Sequence, residues 1–270
     1  MLVNHRPRRP GARRSGARAA LTAGFPLLAA LLLSASCVEQ YPNSVFTRFT
    51  EFNRDVDYLF SILIWLGTFV FVFVEAILLY TLVRFKRQRG APDPKQVHGN
   101  TTLEILWTII PAVVLVFIAV PTVRTIFRTQ AKPREGALEV IVIGHQWWWE
   151  FRYPQFTAPG PNGRLDTLVT ANELYLPIGR TVNFALKTVD VLHSFWVPQL
   201  GGKRDLIANH TNYLWFTPDS AQPNAWNGFC AEYCGASHAN MRFRAFTVSA
   251  ADFDAWARHQ LSPAAFNPGP

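Results

Sequence analysis

Apolar residues are distributed along this chain in two different ways, and the change between them comes near residue 130. Residues 58–83 (YLFSILIWLGTFVFVFVEAILLYTLV) and 105–123 (ILWTIIPAVVLVFIAVPTV) are continuous apolar runs. Each is long enough to cross a bilayer as a helix, which takes about 20 residues. Together they predict a transmembrane hairpin over 58–123. After residue 130 the pattern shortens to LEVIVIG (138–144), WWWEFRY (147–153), ELYLPI (173–178), TVNFALKTV (181–189), NYLWFT (212–217) and MRFRAFTV (241–248). These runs are rich in β-branched and aromatic residues and are bounded by Pro, Gly, Asn and Asp, which predicts strands of a sandwich or barrel. Ser249 and Asp252 form a capping pair that opens a short helix to about Gln260, and the Pro-rich 262–270 reads as a flexible tail.

Charge orients the hairpin. Its connector, 84–102, carries Arg84, Lys86, Arg87, Arg89 and Lys95 against Asp93 alone, so the bias of basic loops toward the cytoplasm puts it inside and both flanks outside. The net charge of +8 therefore says nothing about nucleic acid: residues 131–270 hold eleven basic and eleven acidic side chains. The N-terminus has six arginines, an apolar stretch from Leu21 to Leu33 and then Ser34, Ala35, Ser36 and Cys37. That is the form of a secretion signal over 1–36, of the lipoprotein type if Cys37 is lipidated, although Ser34 stands where such signals more often have Leu. Ordinary cleavage or an uncleaved anchor is the other reading. Residues 37–57 would then form an external segment before the hairpin.

The chemistry is concentrated in CAEYCGASHANM at 230–241, which places Cys230, Cys234, His238 and Met241 close together, with His193 upstream in DVLHSFWVP, where it reads as exposed. Two thiolates, two imidazoles and a thioether make a soft set that suits copper, and the Met argues against zinc. If both thiolates bridge, these side chains and one backbone carbonyl fill two four-coordinate coppers, whereas a mononuclear blue-copper site needs only one Cys. A Cys230–Cys234 disulfide and a structural zinc site are the plainer alternatives.

The loop C-x-E-x-C-x-x-x-H-x-x-M with DVLHSF upstream resembles the binuclear copper centre of the cytochrome c oxidase subunit II family. GHQWWWEFRYP (144–154) is similar to that family's aromatic region, with Trp148 in place of the usual Tyr, and LEILWTIIPAVVL (103–115) to the opening of its second membrane helix. The resemblance implies an α+β membrane protein: a two-helix hairpin followed by a cupredoxin-like β-sandwich, here 131–261. It implies bridging roles for Cys230 and Cys234, ligation by His193, His238, Met241 and the Glu232 carbonyl, and a magnesium or manganese ion at the subunit I contact through the Glu232 carboxylate. Trp147 matches the residue that takes electrons from cytochrome c, and Glu104 the carboxylate at the mouth of a proton channel. On a strand, Trp147 and Trp149 would share one face and Trp148 the other.

The implied function is subunit II of an aa3-type cytochrome c oxidase, in a bacterial inner membrane with its copper domain outside, working with subunit I. A stand-alone membrane-anchored copper carrier and the copper subunit of a nitric oxide reductase are the alternatives. A quinol oxidase subunit would lack the copper ligands. The chain has no C-x-x-C-H, so no haem c is covalently attached and the donor is a separate protein. Glu75 and Glu104 are the carboxylates in or beside the two spans, and each should face protein or water. In GGKRD (201–205) the family turn is kept, but Ala208, Asn209 and His210 replace the Pro-Gly-Arg that often follows.

Overall fold

The structure is a computed structural model that describes residues 43–87, 90, 92, 95–129, 134–160 and 163–262. The expected signal segment, Cys37 and almost all of the tail lie outside these residues.

Helix α1 (Glu51–Arg84) starts at Thr50, whose hydroxyl accepts a hydrogen bond from the Asn53 amide at 3.2 Å and so satisfies one of the free N–H groups of the first turn. Glu51 at its start and Arg84 at its end have the signs the helix dipole favours. Helix α2 (Thr101–Thr129) is capped in the same way, the Asn100 side chain accepting from the Leu103 amide at 3.2 Å. Both helices run past the apolar stretches that predicted them. The most apolar stretch of each is not buried against protein among the described residues, and Trp65, Phe69, Phe71 and Phe117 point outward, as a bilayer requires.

The remaining residues fold into a sandwich of two five-stranded sheets. The strands are β1 (Leu138–His145), β2 (Trp148–Pro159), β3 (Leu165–Ala171), β4 (Glu173–Pro177), β5 (Val182–Thr188), β6 (His193–Trp196), β7 (Arg204–Leu206), β8 (Asn212–Phe216), β9 (Trp226–Cys230) and β10 (Arg242–Val248). One sheet has the order β3-β2-β1-β5-β8, the other β4-β10-β9-β6-β7. All six predicted runs are strands. β3, β6, β7 and β9 were not anticipated. Trp149, Phe151, Phe184, Phe195, Phe216 and Phe243 meet between the sheets, and Phe195 stacks on Phe243 at 5.1 Å. Complete burial of each such ring is worth about 1.5–3 kcal/mol. Helix α3 (Ala250–Leu261) opens at Ser249, which accepts from the Asp252 amide at 3.1 Å, and Trp256 stacks on Tyr175 at 4.3 Å to close one end of the core.

A polar joint ties α1 to the loop that follows β6. Thr50 donates to the Leu200 carbonyl at 2.6 Å and Asn53 to the Pro198 carbonyl at 3.1 Å, and both side chains are buried. Glu51 accepts from the Thr217 amide and hydroxyl at 2.9 and 2.8 Å, and Arg54 pairs with Asp219. The first membrane helix is thereby fastened to the segment that carries His193.

Candidate metal centre

Four pieces of backbone supply the site. His193 opens β6, Cys230 ends β9, Cys234 lies in the following loop, and His238 begins a 3-10 turn (His238–Asn240) that delivers Met241 to the start of β10. The loop is closed from both sides: the Cys230 amide donates to the Met241 carbonyl at 3.1 Å, and the Ala231 amide to the Ser194 carbonyl at 2.9 Å. Its return turn depends on Gly235, whose φ of +116° lies in the region that favours glycine.

The donor atoms converge. Cys230 Sγ lies 3.8 Å from Cys234 Sγ and 3.8 Å from His193 Nδ1, while Cys234 Sγ lies 3.6 Å from His238 Nδ1 and 3.7 Å from Met241 Sδ. The Glu232 carbonyl is 3.1 Å from Cys230 Sγ, and the Glu232 side chain is exposed. Donor atoms of His193, Cys230 and Cys234 all fall within 4.8 Å of one another and could hold a metal ion. The two cysteines are free thiols in this arrangement rather than a disulfide.

Electrostatics sets the thiols apart. Burial opposes ionisation of Cys230, but hydrogen bonds from His193 and the Ser194 backbone outweigh it and bring the thiol down to about 6. Burial and the negative charge of Cys230 push Cys234 up to about 12. The two thiols therefore differ, Cys230 ionising more readily than Cys234. Two thiols, two imidazoles and a thioether over a buried floor are soft donors that fit copper.

Asp190 and Gln146 surround the ligands without belonging to them. Burial would lower the imidazole pKa of His193, yet its contacts with Cys230 and Asp190 hold it above the usual range. Asp190 accepts from His193 Nε2 at 2.8 Å and from the Gln146 amide at 2.7 Å. A carboxylate on Nε2 leaves Nδ1 free to face the sulfurs. The His193 ring also packs close against β1 at Gly144: a β-carbon there would sit 2.7 Å from its Cδ2 and 3.1 Å from Leu206.

Two expectations are corrected. His193 is fully buried, because β6 lies between β7 and β9 and its side chain turns inward beside Leu206. Trp147 and Trp149 do not share a strand face, because β2 begins only at Trp148 and Trp147 lies outside it. Trp147 is 38% exposed and donates from Nε1 to the Cys234 carbonyl at 3.1 Å. Trp149 is buried and donates to the Met241 carbonyl at 3.4 Å, forming the floor of the site. Trp148 stacks on His145 at 4.2 Å.

Glu104 is exposed in the first turn of α2, far along the hairpin from these ligands. Glu75 is half-buried in a groove between the helices, facing Val114 and Ile118. Asp190, Gln146 and Asn172 were missed in the sequence. Asn172, at a φ of +58°, exchanges hydrogen bonds with the Trp149 backbone at 2.8 and 2.9 Å. Only Asp190 had a usable signal, as a carboxylate three residues before a candidate metal-ligating His.

Fold and site define a membrane-anchored β-sandwich protein with a cluster of soft metal donors. Residues 50–125 match the family described as cytochrome c oxidase subunit II, transmembrane domain, and residues 138–248 the same subunit's periplasmic domain. A cytochrome c oxidase subunit 2 of Alkalihalophilus pseudofirmus is 41% identical over 69% of this chain and 53% of its own length. A probable cytochrome c oxidase subunit 2 of Rickettsia bellii is 33% identical over 75% of this chain and 78% of its own. The crystal structure of the periplasmic domain of subunit II of cytochrome oxidase from Bradyrhizobium japonicum is 25% identical, covering 47% of this chain and 95% of that one with a TM-score of 0.39. The chain spans about half the length of the bacillar relatives it matches, 53% and 52%. It belongs to the cytochrome c oxidase subunit II family.

Proposed function

We propose that this chain is the electron-accepting subunit of an aa3-type haem-copper cytochrome c oxidase, held in a bacterial inner membrane with its sandwich on the periplasmic side. The observation that carries this reading is the convergence of two cysteine sulfurs, two imidazole nitrogens and a thioether, each within 3.8 Å of a cysteine sulfur. When bound there, a pair of coppers supplies one-electron transfer between a cytochrome c and the haem of subunit I. Cys230, Cys234, His193, His238, Met241 and the Glu232 carbonyl are the groups that would hold them.

The rest of the chain orients and insulates. Trp149 and the Phe195–Phe243 stack keep water from the inner side of the site. Trp147 reaches the surface while its indole stays bonded to the Cys234 carbonyl, which makes it the short route for an arriving electron. Glu104, at the cytoplasmic end of α2, passes protons toward subunit I. The outward Glu232 carboxylate contributes to a magnesium or manganese site at the same partner. The mature chain begins at a lipidated Cys37 after removal of 1–36, with 37–57 external, 58–123 in the membrane and 131–261 holding copper; an unmodified Cys37 thiol by intact mass would refute the lipid.

The test is metal analysis of the full chain in detergent. Copper loading should give two coppers per chain and an intense thiolate-to-copper colour, and Cys234→Ser should remove both the second copper and the colour. One copper per chain in the parent, or an unchanged spectrum in the variant, would overturn the reading.

A further inference from the structure

Gln146 belongs to none of the roles above, yet it touches both halves of the donor set. Its backbone amide donates to Asp190 Oδ2 at 2.7 Å, and the other oxygen of that carboxylate takes His193 Nε2 at 2.8 Å. Its side-chain amide donates to the Cys234 carbonyl at 2.7 Å, the same oxygen that receives the Trp147 indole at 3.1 Å. One residue therefore links the histidine supplied by β6 to the cysteine supplied by the loop after β9. No ligand bond between those two elements is needed for the link.

The surrounding packing has the same form. Beside the shared carbonyl, a β-carbon at Gly235 would lie 3.2 Å from Gln146 Nε2 and 3.3 Å from Trp147 Cζ2, so the peptide after Cys234 is seated directly against both donors. Asp190 is held in turn by the Val191 amide at 2.7 Å, which fixes the carboxylate that Gln146 and His193 share. A carbonyl with two N–H donors is held in direction as well as position. The Cys234 sulfur, on the same residue, inherits that orientation.

We infer that Gln146 is a positioning residue: a clasp that sets the placement of Cys234 relative to His193 and so adjusts the retention and redox potential of the metal pair. The inference rests on the copper reading above. Partners one bond removed from the ligands commonly change metal affinity by about 10–100-fold, and Gln146 should fall at the lower end because Trp147 still serves the same carbonyl. Loss of both donors leaves that oxygen without either, so the two losses should combine to more than their sum.

The experiment uses the full chain in detergent, loaded with copper, and compares the parent, Gln146→Leu, Trp147→Phe and the double variant. Copper release to a chelator, the midpoint potential and the visible spectrum are read for each, with thermal unfolding of the copper-free forms alongside. Gln146→Leu should release copper about tenfold faster and move both the potential and the charge-transfer band, and the double variant should exceed the product of the singles. Gln146→Glu, which keeps the shape but not the donor, should behave like the Leu variant, and it keeps the question open to test if Leu folds poorly. A parent that binds two coppers, with variants whose release, potential and spectrum match it, overturns the clasp. A loss confined to thermal stability overturns it equally. A parent that does not bind two coppers overturns the copper reading instead.

Discussion

The hairpin and the sandwich place side chains by opposite rules. In α1 and α2 the large apolar residues face outward and Glu75 sits in the groove between the helices; in the sandwich the rings of Trp149, Phe195 and Phe243 turn inward and, apart from Glu150, no Asp, Glu, Lys or Arg among its described residues is buried. Thr50 and Asn53 mark the change, since they are the buried residues of α1 and its cap and hydrogen-bond to the carbonyls of Pro198 and Leu200. Each region is built for its own solvent. The aqueous rule already holds in the first turn of the first membrane helix.

The sharpest way to separate the two regions is to disable the proposed role of each. Trp147→Gln should slow reduction by cytochrome c by about 10²-fold, the scale of a misplaced reacting group, with copper content unchanged. Stopped-flow reduction of the assembled oxidase measures this, and a parental rate would remove Trp147 from the route. Glu104→Gln should lower steady-state oxygen consumption by less, because water and neighbouring groups can still carry protons, and should leave the copper spectrum untouched. A deficit lying wholly in electron transfer to the haem would break the division of labour between hairpin and sandwich.

The joint should respond as an interior does. Asn53→Leu strands the Pro198 carbonyl, a loss of about 1–3 kcal/mol that a calorimetric scan of the full chain would register as a lower Tm. An unchanged Tm would show that the joint is peripheral. Smallest is the effect of Glu150. Burial would raise its carboxyl, but hydrogen bonds from Arg152 and His145 overturn this and hold it below the ordinary range. A carboxyl depressed on folding contributes stability that is present above the unfolded pKa of about 4.3 and is lost as pH falls through the folded value. Glu150→Gln should therefore flatten the acid limb of the stability curve by about 0.2–1 kcal/mol, and an unaltered limb in acid unfolding would exclude the contribution.

Legibility in the sequence followed the same divide. Both membrane helices could be read because composition alone specifies them, although their ends could not, since Thr50 and Asn100 cap beyond the apolar runs. Strands with alternating large residues were visible. Strand β7 is three residues long and β6 four, too short for a period-two signal, and β3 (LDTLVTA) exposes too many positions to alternate cleanly. The five donor side chains that converge were legible as a group because Cys and Met are rare in this chain and four of the five lie within twelve residues. Their supports were not, because Gln146, Asp190 and Asn172 are ordinary polar residues whose roles exist only after β1, β2 and β6 have been brought together. The supposed exposure of His193 failed for the same reason: burial is a property of neighbouring strands, not of DVLHSF.

Gly144 extends this to inheritance. It has no side chain to offer the site, and its place in β1 would suit any β-branched residue, yet the imidazole of His193 occupies the volume where its side chain would be. Every other amino acid would have to displace that ring or Leu206. In a survey of tolerated substitutions, position 144 should therefore be as restricted as the histidine itself, and a change there would look like loss of a ligand in a gene that still encodes all of them.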